Sequence, residues 1–163
     1  MKTFTEPLKE LKEFETLSAG VHDLRGIAQI SGCIDAAKPH IMYSVNNGSG
    51  NRIIVTFQEQ KAKELAEEYR FFDPNVAYYP AKDILFYQSD IRGNALTQER
   101  IQAFRTLFEE KDAAIITTFD ALLDRLVRPE VLRGFLLRLK NEDTVDLEVL
   151  RRRLVGLGYE SVY

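Results

Sequence analysis

The chain has 163 residues, 45% of them hydrophobic and 29% charged, with a formal net charge of −3. That length suffices for one well-buried α/β domain with a small appendage and excludes a complete two-lobed nucleotide-driven motor. The acidic balance removes the general basic field that supplies most non-specific affinity for nucleic acid, and one cysteine with two histidines leaves no internal disulfide and few ligands for transition-metal chemistry. The amino terminus, "MKTFTEPLKELKEFETL", is charged and amphipathic, without the continuous apolar stretch and cleavage site of a signal peptide. The expectation is a cytoplasmic, metal-free protein.

In chain order, Leu8, Leu11 and Leu17 with Phe14 between them predict a helix over 6–17, with Pro7 in its tolerant first turn. "GIAQIS" (26–31) reads as a short buried strand and feeds a helix over 33–46, where Ile34, Ala37, Ile41 and Val45 share a face. "NNGSGN" is a break, and "RIIVTF" (52–57) is the β-branched run of a buried parallel strand. Ala62, Leu65, Ala66, Tyr69 and Phe72 then predict a helix with one face on a sheet, ended by Asp73-Pro74. "NVAYYP" (75–80) is a third strand, and 81–94 an irregular loop. Ile101, Phe104, Leu107 and Phe108 give a helix within 97–110, and "DAAIITTF" (112–119) is the fourth strand.

Thr118 is placed to cap the helix "FDALLDRL", with Asp120 at its positive end. After Pro129 the pattern changes, which sets a boundary near 128–134. "FLLRLKNED" alternates and then turns, and "DLEVLRRRLVGLGY" is a short helix with Asp146 as N-cap and Gly158 as the residue past its end. Strands alternating with helices predict βαβ units, hence a parallel sheet covered on both faces. The closing "YESVY" reads as the start of a strand, which suggests a fragment of a longer protein.

The window Gly32-Cys33-Ile34-Asp35-Ala36-Ala37-Lys38-Pro39 nearly outlines a phosphate-binding loop, G-x-x-x-x-G-K-[ST]. In such a loop glycines turn backbone N–H groups inward, lysine reaches the β/γ phosphates and a hydroxyl holds magnesium. Here Ala37 replaces the second glycine and resists a positive φ, Pro39 offers neither hydroxyl nor N–H, and Asp35 puts a negative charge where phosphates would sit. A strand-to-helix turn with a solvated Lys38 is the favoured outcome, and a divergent ATP-binding and hydrolysing domain is the alternative. Asp120 sits where a magnesium-holding carboxylate would be, but also reads as a helix-start acid. His22 and His40 have no carboxylate or nucleophile at motif spacing, and Cys33 reads as packing. Tyr78, Tyr79 and Tyr87 could form a stacking platform for single strands, but only Lys82 and Arg92 are interleaved, so core and loop packing is the favoured reading. Arg151, Arg152 and Arg153 are consecutive on a helix, about 100° apart, so they cannot serve one carboxylate together. They form either a solvated face or a partner surface.

"ISGCIDAAKPH", "RIIVTFQEQKAKELAEEYRFF", "YYPAKDILFYQSDIRGNALTQERIQAFRTL", "AAIITTFDALLDRL" and "DLEVLRRRLVGLGYESV" occur in this order over essentially the whole chain. In that order and spacing the sequence resembles the amino-terminal region of bacterial transcription-repair coupling factor, the part homologous to the excision-repair helicase excinuclease B. The resemblance implies a RecA-like, P-loop-type three-layer parallel sheet with a degenerate nucleotide site over 1–131, and over 132–163 the start of a small α+β inserted module. That module begins near residue 135 and recruits the partner protein excinuclease A; the family's G-E-F…R-G-G segment is not reached. Arg138, Arg152 and Arg153 are the implied contacts. The implied role is a non-catalytic scaffold in transcription-coupled nucleotide excision repair, with no cofactor and no catalytic residue in this chain. The ATP-dependent DNA translocase and the contacts to RNA polymerase and double-stranded DNA would belong to other parts of the parent chain.

Overall fold

The computed structural model describes residues 2–22, 27–46, 50–82, 90–126, 128–135, 139, 141–156 and 159. Contacts divide the chain into two compact units, Met1–Arg125 and Leu126–Tyr163.

The first unit is built on three parallel strands, β1 (Arg52–Thr56), β2 (Val76–Tyr79) and β3 (Ala114–Thr118), in the order β1-β3-β2. Parallel neighbours need long crossovers, and helices α4 (Glu59–Arg70) and α5 (Asp90–Glu109) provide them. Strand alternation sorts the core. Val76, Tyr78, Ala114 and Ile116 face Ala62, Ala66 and Tyr69 of α4, whereas Ala77, Tyr79 and Ile115 face Ala103 of α5 and Ala121. Alanines at the helix contacts let the backbones approach the sheet, and the larger side chains fill the gaps between. Burying Ile116, which is fully enclosed, contributes roughly 1.5–3 kcal/mol. Helices α1 (Lys2–Lys9), α2 (Lys12–His22) and α3 (Lys38–Asn46) pack together on the α4 side, with Met42 and Tyr43 of α3 against that core.

The strand starts are tied by polar groups. Arg52 Nη2 donates to Asp73 Oδ2 in a buried ion pair and to the Asp112 carbonyl at 3.3 Å. Asp73 Oδ1 accepts from Asn75 N–H at 2.9 Å, and Asn51 Oδ1 accepts from Ala113 N–H at 3.1 Å.

Strands predicted over 52–57, 75–80 and 112–119 form within one or two residues of expectation. The strand expected over 26–31 does not. Residues 27–31 have no regular structure and are exposed, Ile27 at 97%, and Ala28 lies close to Gly20 of α2; Gly26 lies outside the described residues. The helix expected over 6–17 is two helices, because the chain turns at Leu11, whose N–H bonds Leu8 O at 3.1 Å. Pro7 is therefore inside α1 and not in its first turn. The helix expected from 33 begins with a 3₁₀ turn, Asp35–Ala37, and becomes α-helical at Lys38. Residues 90–94, expected as loop, are the start of α5; 83–89 lie outside the described residues. Helix α6 (Phe119–Leu122) is four residues and not the eight of "FDALLDRL", and Thr118 caps it as expected, accepting from Ala121 N–H at 3.3 Å.

In the second unit, α7 (Pro129–Phe135) was not anticipated, although Pro129 suits a first helical position. Helix α8 (Leu147–Gly156) starts as expected: Asp146 Oδ1 accepts from Glu148 and Val149 N–H at 2.9 and 3.2 Å. Gly158, most of "YESVY", and the 136–138 part of the expected alternation lie outside the described residues. Among the described residues, no helix is long and apolar enough to cross a membrane.

Candidate functional site

The 32–39 segment has the opening of a phosphate loop and not its interior. Gly32 takes φ +73 in open space, a conformation that suits glycine. After it, Ala37 N–H bonds Ile34 O at 3.0 Å within the 3₁₀ turn, so this amide is directed along the chain and not into an anion cradle. Lys38 Nζ lies 2.6 Å from Asp35 Oδ1, both side chains exposed. That hydrogen bond, and then the opposite charges, hold the Asp35 carboxyl below its ordinary range and push the Lys38 ammonium up. The lysine that would reach a phosphate is occupied by a carboxylate three residues away. Pro39 is buried in the first turn of α3.

The remaining chemistry-bearing residues are dispersed. His40 stacks on Phe72, ring centroids 5.3 Å apart; the His22 side chain lies outside the described residues. Cys33 is half-buried with Sγ 3.4 Å from Ile34 O. Asp120 is exposed in the first turn of α6. Among the described residues, no group of three or more His, Cys, Asp or Glu is placed to hold a metal ion. Tyr78 and Tyr79 are buried on opposite faces of β2, as the favoured reading of core packing has it and not as a stacking platform requires; Tyr87 lies outside the described residues.

Ligands of parallel α/β sheets gather at the carboxyl ends of the strands. Here that end is bonded to itself. Glu59 Oε1 accepts from Ala81 N–H at 2.9 Å and Thr118 Oγ1 at 3.4 Å. Arg100 donates to Pro80 O at 2.7 Å and Asp124 Oδ2 at 2.9 Å, with its guanidinium 4.2 Å from the Tyr79 ring centroid. These groups were missed in the sequence because their partners lie 20 to 59 residues away.

In the second unit the arginines have separate situations. Arg151 pairs with Glu148 at 3.5 Å one turn earlier, and Arg153 Nη2 donates to Gly134 O at 3.3 Å, joining α8 to α7. Arg152 is exposed between Val149 and Val155, themselves 58% and 57% exposed at positions three residues to either side. An arginine flanked by exposed apolar side chains on one helix face is the composition of an interface anchor. Arg138 lies outside the described residues.

The geometry is that of a parallel α/β unit without a formed phosphate loop, followed by a helical unit that presents an arginine. No protein-family model matches the chain. It is similar to UvrABC system protein B of Treponema pallidum, 30% identical over 105 residues, covering 64% of this chain and 15% of that protein. The corresponding proteins of Dehalococcoides mccartyi and Pseudomonas fluorescens are each 29% identical, over 102 and 103 residues and 63% of this chain. The match spans about 15% of the length of these curated relatives.

Proposed function

We propose that this chain is a non-catalytic scaffold of nucleotide excision repair, with a RecA-like lobe whose nucleotide site has decayed. In finer terms it is the amino-terminal region of a transcription-repair coupling factor, and its second unit contributes to recruiting excinuclease A. Similarity to UvrABC system protein B supports the repair setting. The observation that carries the scaffold reading is the closure of Lys38 onto Asp35 with Pro39 in the magnesium-hydroxyl position. A phosphoryl-transfer site needs that lysine free and that hydroxyl present. Exposed Arg152 between Val149 and Val155 supports the partner surface. Contacts to RNA polymerase and double-stranded DNA are assigned to other parts of a longer parent.

Two measurements test this. Calorimetry with ATP and magnesium is expected to give no binding heat, and micromolar binding that Lys38→Ala abolishes overturns the scaffold reading. In a pull-down with excinuclease A, Arg152→Glu with Arg153→Glu is expected to weaken capture. Because Arg153 also ties α8 to α7, Arg152→Glu alone separates contact from folding, and undiminished capture by both variants removes α8 from the proposed contact.

A further inference from the structure

Helices α4 and α5 flank β2 from opposite faces of the sheet and leave a groove of about 790 Å³ along its free edge. Among the described residues, β2 pairs only with β3. The bond from Ala114 N–H to Asn75 O, with Val76 opposite Ala114, fixes the phase of the ladder. Ala77 turns its peptide groups to β3, and those of Val76 and Tyr78 point the other way, into the groove. Val76 and Tyr78 are only 7% and 6% exposed, so these peptide groups lie at the bottom of a channel whose rim is open to solvent. Unpaired strand-edge groups of this kind are a template for pairing with another chain.

Side chains in the groove repeat the pattern. The Tyr78 hydroxyl is buried without a hydrogen-bond partner, and so is Glu99 Oε2. Lys63 Nζ reaches across from α4 to Glu99 Oε1 only at 3.9 Å, and sits 5.4 Å from the Tyr78 ring centroid. The channel therefore offers alternating backbone donors and acceptors at strand spacing, a buried carboxylate oxygen that lacks a donor, and a phenol that lacks a partner. A metabolite does not repeat donors and acceptors at that spacing, whereas an extended peptide does.

We propose that the free edge of β2 is a β-augmentation site: an extended segment of a partner protein lies between α4 and α5, pairs its backbone with Val76 and Tyr78, and directs an amide or side-chain donor to Glu99. Backbone pairing supplies the attachment and the groove walls, with Lys63 and Gln102, supply selection.

The test selects phage-displayed random dodecapeptides against the 163-residue chain, counter-selected against a Gln102→Trp variant that fills the groove from an exposed wall position. Resynthesised peptides are expected to bind the Gln102→Trp variant at least about tenfold more weakly. They should also slow hydrogen exchange at the Val76 and Tyr78 amides of the unmodified chain, and lose binding when N-methylated at alternate residues. The exchange measurement needs no variant, so a misfolded Gln102→Trp chain does not blunt the test. Failure to enrich peptides, binding that leaves both amides exchanging as before, or protection of these amides by concentration-dependent dimerisation without peptide overturns the proposal.

Discussion

Asp73→Asn isolates the buried charge that holds the strand starts together. Arg52 and Asp73 side chains are 8% and 7% exposed, and Arg52 Nε and Nη1 have no hydrogen-bond partner even in the intact pair. Asparagine keeps the shape and an oxygen for Asn75 N–H, but turns an amide donor or a neutral oxygen to the guanidinium. The cation then stays buried with little besides the Asp112 carbonyl. Leaving one member of a buried pair uncompensated destabilises by about 3–5 kcal/mol, a large part of the roughly 5–15 kcal/mol that holds a domain. With a urea dependence of roughly 2 kcal/mol per molar, the unfolding midpoint should fall by about 2 M. Far-UV circular dichroism is the suitable probe, since the chain has no tryptophan. Replacing both members, Arg52→Met with Asp73→Leu, should recover most of the loss, because the pair's value lies in mutual compensation and not in burial of charge as such. A midpoint lowered by less than about 0.5 M in Asp73→Asn refutes the premise that an unpaired Arg52 is costly.

Burial pushes the Tyr69 hydroxyl up to about 12, with the nearby Arg52 charge opposing. Its folded pKa is thus above the ordinary 10.0, so its contribution is present below pH 10 and is lost as pH rises towards 12, by about 3 kcal/mol in all. Tyr69→Phe should flatten that alkaline decline in melting temperature and be neutral or slightly stabilising at pH 7, because the hydroxyl has no partner. Thr118→Ala removes both the α6 cap and the contact to Glu59, and should lower stability by about 1 kcal/mol in urea titration.

What the sequence made legible follows from range. "RIIVTF" and "DAAIITTF" are β-branched runs that have few other uses, and Ala62, Ala66 and Tyr69 mark a helix face at fixed spacing, so these elements form where expected. "GIAQIS" has the same local signature, yet a strand needs a neighbour, and its Ala28 rests on Gly20 instead. Leu8, Leu11 and Phe14 keep a helical period straight through the turn between α1 and α2, so periodicity hides the break. At the candidate sites, the defects of Ala37 and Pro39 are readable position by position, and the Lys38–Asp35 bridge is a three-residue spacing that helix geometry favours. Sequence alone groups Arg153 with Arg152, whereas its bond to Gly134, 19 residues away, distinguishes it. Arg52 and Asp73 carry no motif at all; a cation opening an otherwise apolar strand is the one signal.

The order β1-β3-β2 has a consequence for how the chain is made. Among the described residues, both outer strands pair only with the strand that is synthesised last. Until Ala114–Thr118 leaves the ribosome, β1 and β2 have no partner and the apolar faces of α4 and α5 have no sheet to cover. Loop closure for β1 must wait across 62 residues, from Arg52 to Ala114. The nascent chain therefore carries two unpaired strands while residues 80–118 are being added, a window in which a chaperone or a neighbouring nascent chain competes for the same edges.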